Sequence, residues 1–585
     1  MNWENLSNSL SKDLIEAVKP LIKRLAAENA VRHGGKAESG AVMGKVAAMR
    51  PDVRPIIKDL APIVAEICRD VSALSQGEQG KMVGEPVTRI RSEQEERKLP
   101  PLPSRDRYKE IRTRFAPNPN SVLHLGSSRP AILSHDYAAQ YGGKFILRFE
   151  DTDPRIKRSD LKFYDYIRED LRWLGCEWDE EYIQSDRMKI YYEYAEAAIK
   201  GGSAYVCTCP QEKFKELALA SKACPCRGLD TKEQLWRFRE MVEGGYKEGS
   251  AVLRVKTDLD HPNPAVRDWP AMRIIDPASH AHPRVGSDFR VWPLYNWASA
   301  IDDHLMGITH IIRGQEHTTN AVRQMYLYAA FGWEYPTTLH CGRLTIEGGS
   351  LSKSEIEKGI RERAFDGYDD LRLGTLVALK RRGIEAQAIR KLVYELGVKP
   401  SDAVISWDNL FSINRKLIDG VANRYFAIID SPVRLMISDY PYSETTVQLK
   451  KHPDRAETRH ITVKKNGQDL ELWVERSDIE RIGKGNEFRL MGLANAVIAE
   501  VDPAVAKFTG NDVSAARGKQ HIHWLPISDH LELELINWEN ELQHGMIETN
   551  VASEQAGSHV QLERKFFAVV EKAEAGKVKL IYTSA

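Results

Sequence analysis

Between Thr113 and Ser127 the chain reads Thr-Arg-Phe-Ala-Pro-Asn-Pro-Asn-Ser-Val-Leu-His-Leu-Gly-Ser, where a strand-like run gives way to the start of a helix. The prolines fix an extended exit from the strand. Gly126 removes a side chain where a nucleotide would approach, and the new helix turns free amides and a positive dipole end toward a phosphate. His124 stands just ahead of that helix, placed to donate to a bound phosphate. Far downstream, Gly348-Gly-Ser-Leu-Ser352-Lys353-Ser354 combines a flexible hinge, hydroxyls and one lysine. Such a segment suits a mobile loop that closes over a triphosphate and neutralises charge on departing pyrophosphate. Each stretch also has a plainer reading, a structural histidine and a surface loop, so neither decides the chemistry alone. A third group is Cys207-Thr-Cys209 with Cys224-Pro-Cys226. Four thiolates at this spacing can hold tetrahedral zinc in two knuckles around an intervening helix; four buried reduced thiols are the alternative.

The elements that must position these residues follow from periodicity. A strand over 111–116, an amphipathic helix over about 125–141, Gly142-Gly143 and a strand over 144–149 form a βαβ unit. Repeated, such units give a parallel, doubly wound sheet whose ligand crevice lies at the carboxyl ends of its strands. Ahead of it, Leu14, Val18, Leu21, Ile22 and Leu25, then Ile56, Leu60, Ile63, Val64 and Ile67, predict a helical N-terminal unit. The polar text from Ser75 to Pro103 reads as a linker, with some order from Met82 to Ile90. Beyond Arg415 short alternating runs such as 459–464, 470–474, 487–490, 521–525, 531–535 and 577–582 predict a β-barrel or sandwich.

Composition bounds the functional class. The 585 residues exceed one hydrophobic core, and 42% hydrophobic with 28% charged residues describes a folded multidomain protein. Lysine plus arginine equal aspartate plus glutamate at 83 each, and no segment is a basic tail, so any nucleic-acid contact must come from local patches. No apolar run approaches a bilayer span and residues 1–12 lack the apolar core of a signal peptide, which predicts a cytoplasmic protein without membrane attachment. Seven cysteines in such a chain are not a disulfide framework. Walker A, Gly-x-Ser-x-Gly and His-Glu-x-x-His patterns are absent, which argues against P-loop, hydrolase-type and zincin chemistry.

Together, His124-Leu-Gly-Ser127 and Ser350-Leu-Ser-Lys353-Ser354 resemble the two signature motifs of class I aminoacyl-tRNA synthetases, His-Ile-Gly-His and Lys-Met-Ser-Lys-Ser. The surroundings are similar to the glutamyl/glutaminyl subgroup, specifically the archaeal-type glutamyl-tRNA synthetases. They are Arg114-Phe-Ala-Pro-Asn-Pro, Leu147-Arg-Phe-Glu150-Asp-Thr-Asp-Pro154, the stretch from Ala300 to Arg313, and Asn414-Arg-Lys-Leu-Ile-Asp419. The resemblance runs from about residue 105 onward, and Gly35–Lys45 is similar to part of an extension found in that group. Ser121, Ser127 and Ser350 depart from the usual glycine, histidine and lysine, which leaves charge neutralisation resting more heavily on His124 and Lys353.

The resemblance implies ATP-dependent formation of glutamyl-adenylate, then attack by the terminal ribose of tRNA(Glu), with no protein nucleophile. ATP with magnesium and L-glutamate are the implied cosubstrates; tRNA(Gln) stays open as a second acceptor, as does a protein partner for the N-terminal extension. It implies His124 and Lys353 as catalytic residues; His124, Gly126, Arg343, Leu344, Ser352 and Lys353 at ATP; and Arg114, Glu150, Tyr295 and Arg313 at glutamate. Glu150 would meet the ammonium and Arg313 the side-chain carboxylate. For Arg313 the plainer alternative is a surface pairing with Glu316 or Asp303. Cys207, Cys209, Cys224 and Cys226 would hold a structural zinc. The implied architecture is a helical extension and linker (1–100) and a Rossmann-like catalytic domain (101–350) with an inserted acceptor-end domain (200–285). A helical connector carrying the Lys353 loop (351–415) and a β-barrel anticodon-binding region (416–585) follow. A glutaminyl-tRNA synthetase and a catalytically silent tRNA-binding scaffold are the rival readings.

Overall fold

The computed structural model describes residues 3–32, 35–50, 53, 56–83, 99–348 and 353–585. The chain divides into two compact units, 1–97 and 98–585.

The first unit holds helices α1 (Trp3–Arg32), α2 (Ser39–Met49), α3 (Ile57–Ser72) and α4 (Gln76–Val83). Val18, Ile22 and Leu25 of α1 bury against Val42 and Val46 of α2 and Leu60, Val64, Ile67 and Val71 of α3. That is helical spacing on each element. Helix α4 lies where the sequence reads as linker. Its start is a capping box, with Ser75 and Glu78 bonded reciprocally (Ser75 N to Glu78 Oε2 2.9 Å, Glu78 N to Ser75 Oγ 3.4 Å). The enclosed Gln79 amide then ties it down by donating to the carbonyls of Gly35, Val71 and Leu74. Nearly all of the stretch from Met82 to Ile90, expected to be ordered, lies outside the described residues.

The second unit opens with β1 (Arg112–Phe115), α5 (Leu125–Gln140), β2 (Lys144–Phe149), α6 (Leu161–Trp173), β3 (Glu180–Ile183) and α7 (Met188–Lys200). An antiparallel sheet follows, in order β4 (Ala204–Cys207), β5 (Val252–Val255), β6 (Pro270–Ile274) and β7 (Val291–Pro293), with helices α8 (Gln211–Leu219) and α9 (Thr231–Glu243) between β4 and β5. The chain then returns through α10 (Tyr295–Leu305), β8 (His310–Gly314), α11 (Thr318–Phe331) and β9 (Thr337–Cys341). The central sheet has order β3-β2-β1-β8-β9 and every pairing is parallel. Strand order reverses beside β1, so the crevice of a doubly wound sheet falls at the carboxyl ends of β1, β2 and β8.

Strand β10 (Leu344–Ile346) pairs in parallel with β11 (Ala403–Ile405); between them run α12 (Lys353–Arg361), α13 (Leu376–Arg381) and α14 (Ala386–Leu396), and α15 (Trp407–Ile418) follows. Beyond α15 lie two seven-stranded sheets and a two-stranded ribbon, Glu444–Lys450 with Thr458–Lys464. The alternating residues Leu470, Leu472 and Val474 point into one core, and Leu531, Leu533 and Leu535 into the other. No helix among the described residues is long and apolar enough to cross a membrane.

Candidate active site

Charged side chains from three strand ends and one helix converge in the crevice. Arg114 of β1 donates from Nε to Asp303 Oδ1 at 3.1 Å and from Nη2 to Oδ2 at 3.4 Å. Arg148 of β2, wholly enclosed, gives Nη1 to the same Oδ1 at 2.7 Å. Its Nη2 reaches Glu150 Oε1 and Ser299 Oγ, each at 3.0 Å. Two guanidiniums share one buried carboxylate of α10, and the second also holds the acid that follows β2. Burial opposes ionisation of Asp303, but the Arg114 and Arg148 charges outweigh it and hold its carboxyl below the ordinary value. At Glu150 burial wins, raising the carboxyl above its ordinary value against the pull of Arg148 and Arg114.

Arg313, at the end of β8, is only 5% exposed, yet no carboxylate among the described residues pairs with it. Its Nη1 donates to Gln324 Oε1 at 3.0 Å and reaches the Tyr295 hydroxyl at 3.5 Å; Nη2 donates to the Tyr335 hydroxyl at 2.9 Å; Nε has no partner. The surface pairing with Glu316 or Asp303 is therefore not what forms. Glu316 lies 3.9 Å from Arg343 instead, and Asp303 is engaged by Arg114 and Arg148. Tyr295 opens α10 with its ring 5.3 Å from that of His317, and burial raises its phenol. His317 is pushed down to about 4, first by burial and then by the Arg313 charge, so it is neutral at pH 7. Among the described residues the carboxylates hydrogen-bonded to Arg114, Arg148 and Arg313 are Asp303 and Glu150, so three guanidiniums share two acids and the pocket has one positive charge in excess of its paired carboxylates.

The neighbouring edge is built differently. His124 is the N-cap of α5, and its Nδ1 accepts from the Gly126 amide at 3.0 Å, which leaves the remaining imidazole proton on Nε2. The ring reaches solvent, but protein crowds around it, and the resulting desolvation lowers its pKa and keeps it neutral. A Cβ on Gly126 would sit 2.6 Å from the Leu344 carbonyl oxygen and 2.8 Å from His124 Cε1. The glycine is thus required by protein packing, in addition to the nucleotide access expected from the sequence. Leu344 buries its side chain in the main core, while Arg343 is exposed with its amide held by Asp402 Oδ1 at 2.7 Å. The His124 segment is stitched to the start of α13 by Leu125 N to Gly374 O (3.0 Å) and Leu376 N to Leu123 O (2.9 Å). Lys353 begins α12; its side chain and Ser352, Ser350 and Leu351 lie outside the described residues.

Across the antiparallel sheet the four cysteine sulfurs lie within 4.8 Å of one another. The pairs Cys207 with Cys224 and Cys209 with Cys226 are each 3.8 Å apart. A tetrahedral zinc with bonds of about 2.3 Å requires sulfurs roughly 3.8 Å apart, so this donor set fits zinc. Helix α8 separates the knuckles, and the amide of Thr208 donates to Cys226 Sγ at 3.5 Å.

Sequence reasoning missed Arg148, Ser299, Asp303, Gln324 and Tyr335. Arg148 carried a signal: it interrupts the apolar strand Lys144–Phe149 and shares a sheet face with Glu150 two residues on. Gln324 and Tyr335 carried none, because their role exists only where α11 and the turn after it meet β8.

Residues 110–420 match the model of the class I (E and Q) tRNA synthetase catalytic domain, and residues 422–511 match that of the class I (E and Q) anticodon-binding domain. A glutamate--tRNA ligase of Pyrococcus furiosus is 48% identical over 97% of this chain and 99% of its own. That of Thermococcus kodakarensis is 47% identical over 97% and 100%.

The chain belongs to the class I (E and Q) tRNA synthetases.

Within the family the synthetase also matches a glutamate--tRNA ligase of Methanopyrus kandleri, at 41% identity over 97% of this chain and 99% of that protein. Among solved structures, a glutamate tRNA ligase from Elizabethkingia meningosepticum aligns at 24% identity over 54% of this chain and 71% of its own, with a TM-score of 0.38. In the synthetase the stretches around His124, Glu150 and Arg313 stand at the carboxyl ends of β1, β2 and β8, the edge of the central sheet where its strand order reverses.

Proposed function

We propose that this synthetase couples L-glutamate to tRNA(Glu). The single observation that carries the reading is Arg313, a buried guanidinium with neutral partners, no carboxylate and one free Nε–H. A buried charge without a counterion is costly, and a ligand carboxylate relieves it. Glutamate brings two carboxylates and one ammonium, a net charge of minus one that cancels the excess positive charge of the pocket. Glutamine brings one carboxylate and one ammonium, and no net charge. This favours glutamyl over glutaminyl activity, and an intact set of pocket charges disfavours a silent scaffold.

In the first step a glutamate α-carboxylate oxygen attacks the α-phosphorus of ATP, the bond to the β,γ-diphosphate breaks, and magnesium pyrophosphate leaves. Glu150 takes the ammonium, Arg114 lies beside the carboxylate end, and Tyr295 closes the wall. His124 donates from Nε2–H to phosphate oxygen, Gly126 leaves room for the nucleotide to approach, Leu344 and the exposed Arg343 border the adenine, and Ser352 and Lys353 neutralise the departing diphosphate. In the second step a terminal ribose hydroxyl of tRNA attacks the adenylate carbonyl carbon, and AMP leaves with the bonding electron pair. Cys207, Cys209, Cys224 and Cys226 would hold a zinc that crosslinks the knuckles and opens no coordination position to substrate. The antiparallel sheet region of 200–285 is read as handling the acceptor end, the strands beyond 416 as reading the anticodon, and the compartment as cytoplasmic.

The test is ATP–pyrophosphate exchange in the presence of tRNA, with glutamate and glutamine side by side. Exchange with glutamate at least about tenfold above glutamine is expected from an unpaired buried donor. Equal rates refute the pocket reading, and no exchange with either supports the scaffold. Charging purified glutamine tRNA beside glutamate tRNA decides the acceptor.

A further inference from the structure

Arg129 lies on α5, five residues after His124, and is 1% exposed. No carboxylate among the described residues pairs with it. All its hydrogen bonds go to backbone carbonyls: Nη1 to Gly342 O at 2.6 Å, Nε and Nη2 to Gly397 O at 3.1 and 2.9 Å, and Nη2 to Lys399 O at 2.9 Å. A buried guanidinium is retained this way only where a fixed array of acceptors replaces its water. Part of the compensation comes from α14, whose negative end closes at Gly397, the residue Arg129 holds with two donors.

These carbonyls control one stretch of backbone. Gly342 directly precedes Arg343 and Leu344. Its amide donates to Lys399 O at 3.0 Å, and a Cβ on it would collide with Ser401 O at 1.9 Å. Two residues on, the Leu344 carbonyl meets Gly126 at the start of the same helix that carries Arg129. The segment 342–344 is therefore pinned at one end by Arg129 and pressed at the other against the His124 turn. Beyond it, β10 leads to Gly348 and the Lys353 loop. Ser128 Oγ turns back to Leu125 O, and Asp136 is occupied by Arg390, Tyr394 and His135.

We propose that Arg129 is a positioning residue for ATP: by fixing the Gly342 and 397–399 carbonyls it sets the spacing between His124 and the adenine-facing backbone at Arg343 and Leu344. This rests on the reading that Arg343 and Leu344 border the adenine. Arg129 touches no substrate. It acts through backbone geometry, so its loss displaces the nucleotide while the amino-acid pocket, whose side chains brace one another on the far side of β1, keeps its shape.

The experiment uses the full chain with tRNA and magnesium, and follows pyrophosphate exchange against ATP, GTP and glutamate for Arg129→Lys, Arg129→Gln and Arg343→Ala. Lysine keeps the charge but cannot span three carbonyls. Arg129→Lys is expected to raise KM for ATP at least about tenfold, as small misplacements of a bound reactant do. It should lower the preference for ATP over GTP and leave KM for glutamate within about twofold. A residue that merely stabilises the fold would lower the melting temperature and the active fraction with both KM values unmoved. That outcome overturns the proposal, as does a parallel rise of both. An unchanged KM for ATP in both Arg129 variants, with Arg343→Ala raising it, overturns the proposal and leaves the adenine reading standing. If Arg343→Ala and both Arg129 variants are all silent toward ATP, the adenine reading fails and the proposal with it.

Discussion

The proposed amino-acid pocket and the proposed nucleotide edge flank β1, yet they are made of different material. The pocket is a lattice of charged side chains: Arg114, Arg148, Asp303 and Glu150 brace one another at 2.7 to 3.4 Å, and Arg313 hangs between Gln324, Tyr335 and Tyr295. The nucleotide edge is backbone: an N-cap, a glycine pressed against a carbonyl, and a loop root held by Arg129. On the proposed assignment, the difference follows from what each must discriminate. Telling a carboxylate from an amide needs a charge already desolvated and oriented before the ligand arrives. Binding a triphosphate that must lose its outer two phosphates needs groups that act late and then let go.

The sharpest way to break this contrast is Lys353→Ala. If the loop lysine acts mainly on charge developed in the transition state, adenylate formation falls by about two to three orders of magnitude while ATP affinity measured by equilibrium binding changes little. Normal turnover with weakened ATP binding would reverse the assignment.

Arg313→Ala tests the pocket side. Catalytic efficiency for glutamate should fall steeply, at least about tenfold, with a much smaller change for glutamine, because only the charged ligand loses its counterion. Equal losses for both amino acids would mean that the guanidinium serves packing alone.

The cysteine knuckle bounds the comparison from outside. One zinc per chain is expected by elemental analysis, lost in Cys207→Ser and Cys224→Ser. Local destabilisation should follow, read as faster hydrogen exchange in β4, β5 and α9, with β1, β2 and β8 unaffected. Metal-free protein as purified would remove the site.

The smallest effect concerns pH. His317 titrates at about 4 in the folded protein against an ordinary 6.5, so the native state binds fewer protons than the unfolded chain between those values. Its contribution to stability is complete above about 6.5 and is lost as pH falls toward 4. His317→Asn should flatten that part of the acid limb in chemical-denaturation curves; an unchanged limb would show that the ring is not desolvated as its contacts imply.

Much of this was legible before folding. The family resemblance carried by His124-Leu-Gly-Ser127 and the Glu150 and Arg313 stretches is borne out by the family models and relatives, and with it the ligase activity. Periodicity placed β2 at the residues where it forms and α5 to within one residue. The reading failed where a cap outweighed composition, at α4, whose Ser75-Gln-Gly-Glu78 box was visible but lay in a polar stretch that reads as linker. It also failed to anticipate Asp303, an acid in an apolar helix whose partners lie 189 and 155 residues away.

The sequence alone determined which residue types stand at strand ends, because side-chain alternation and turn chemistry are local and short-ranged. It therefore determined the chemistry available: three guanidiniums, two carboxylates, a capping histidine and four thiols. Only the tertiary structure decided how those charges pair. Asp303 could have answered Arg313, and the fold instead gives it to Arg114 and Arg148. Pairing in a buried site is set by distances of a few ångströms between elements far apart in the chain, and desolvation makes each such choice worth several kcal/mol, about 3 to 5 when a buried partner is removed. That allocation leaves Arg313 without a carboxylate partner among the described residues, and no local pattern in the sequence specifies it.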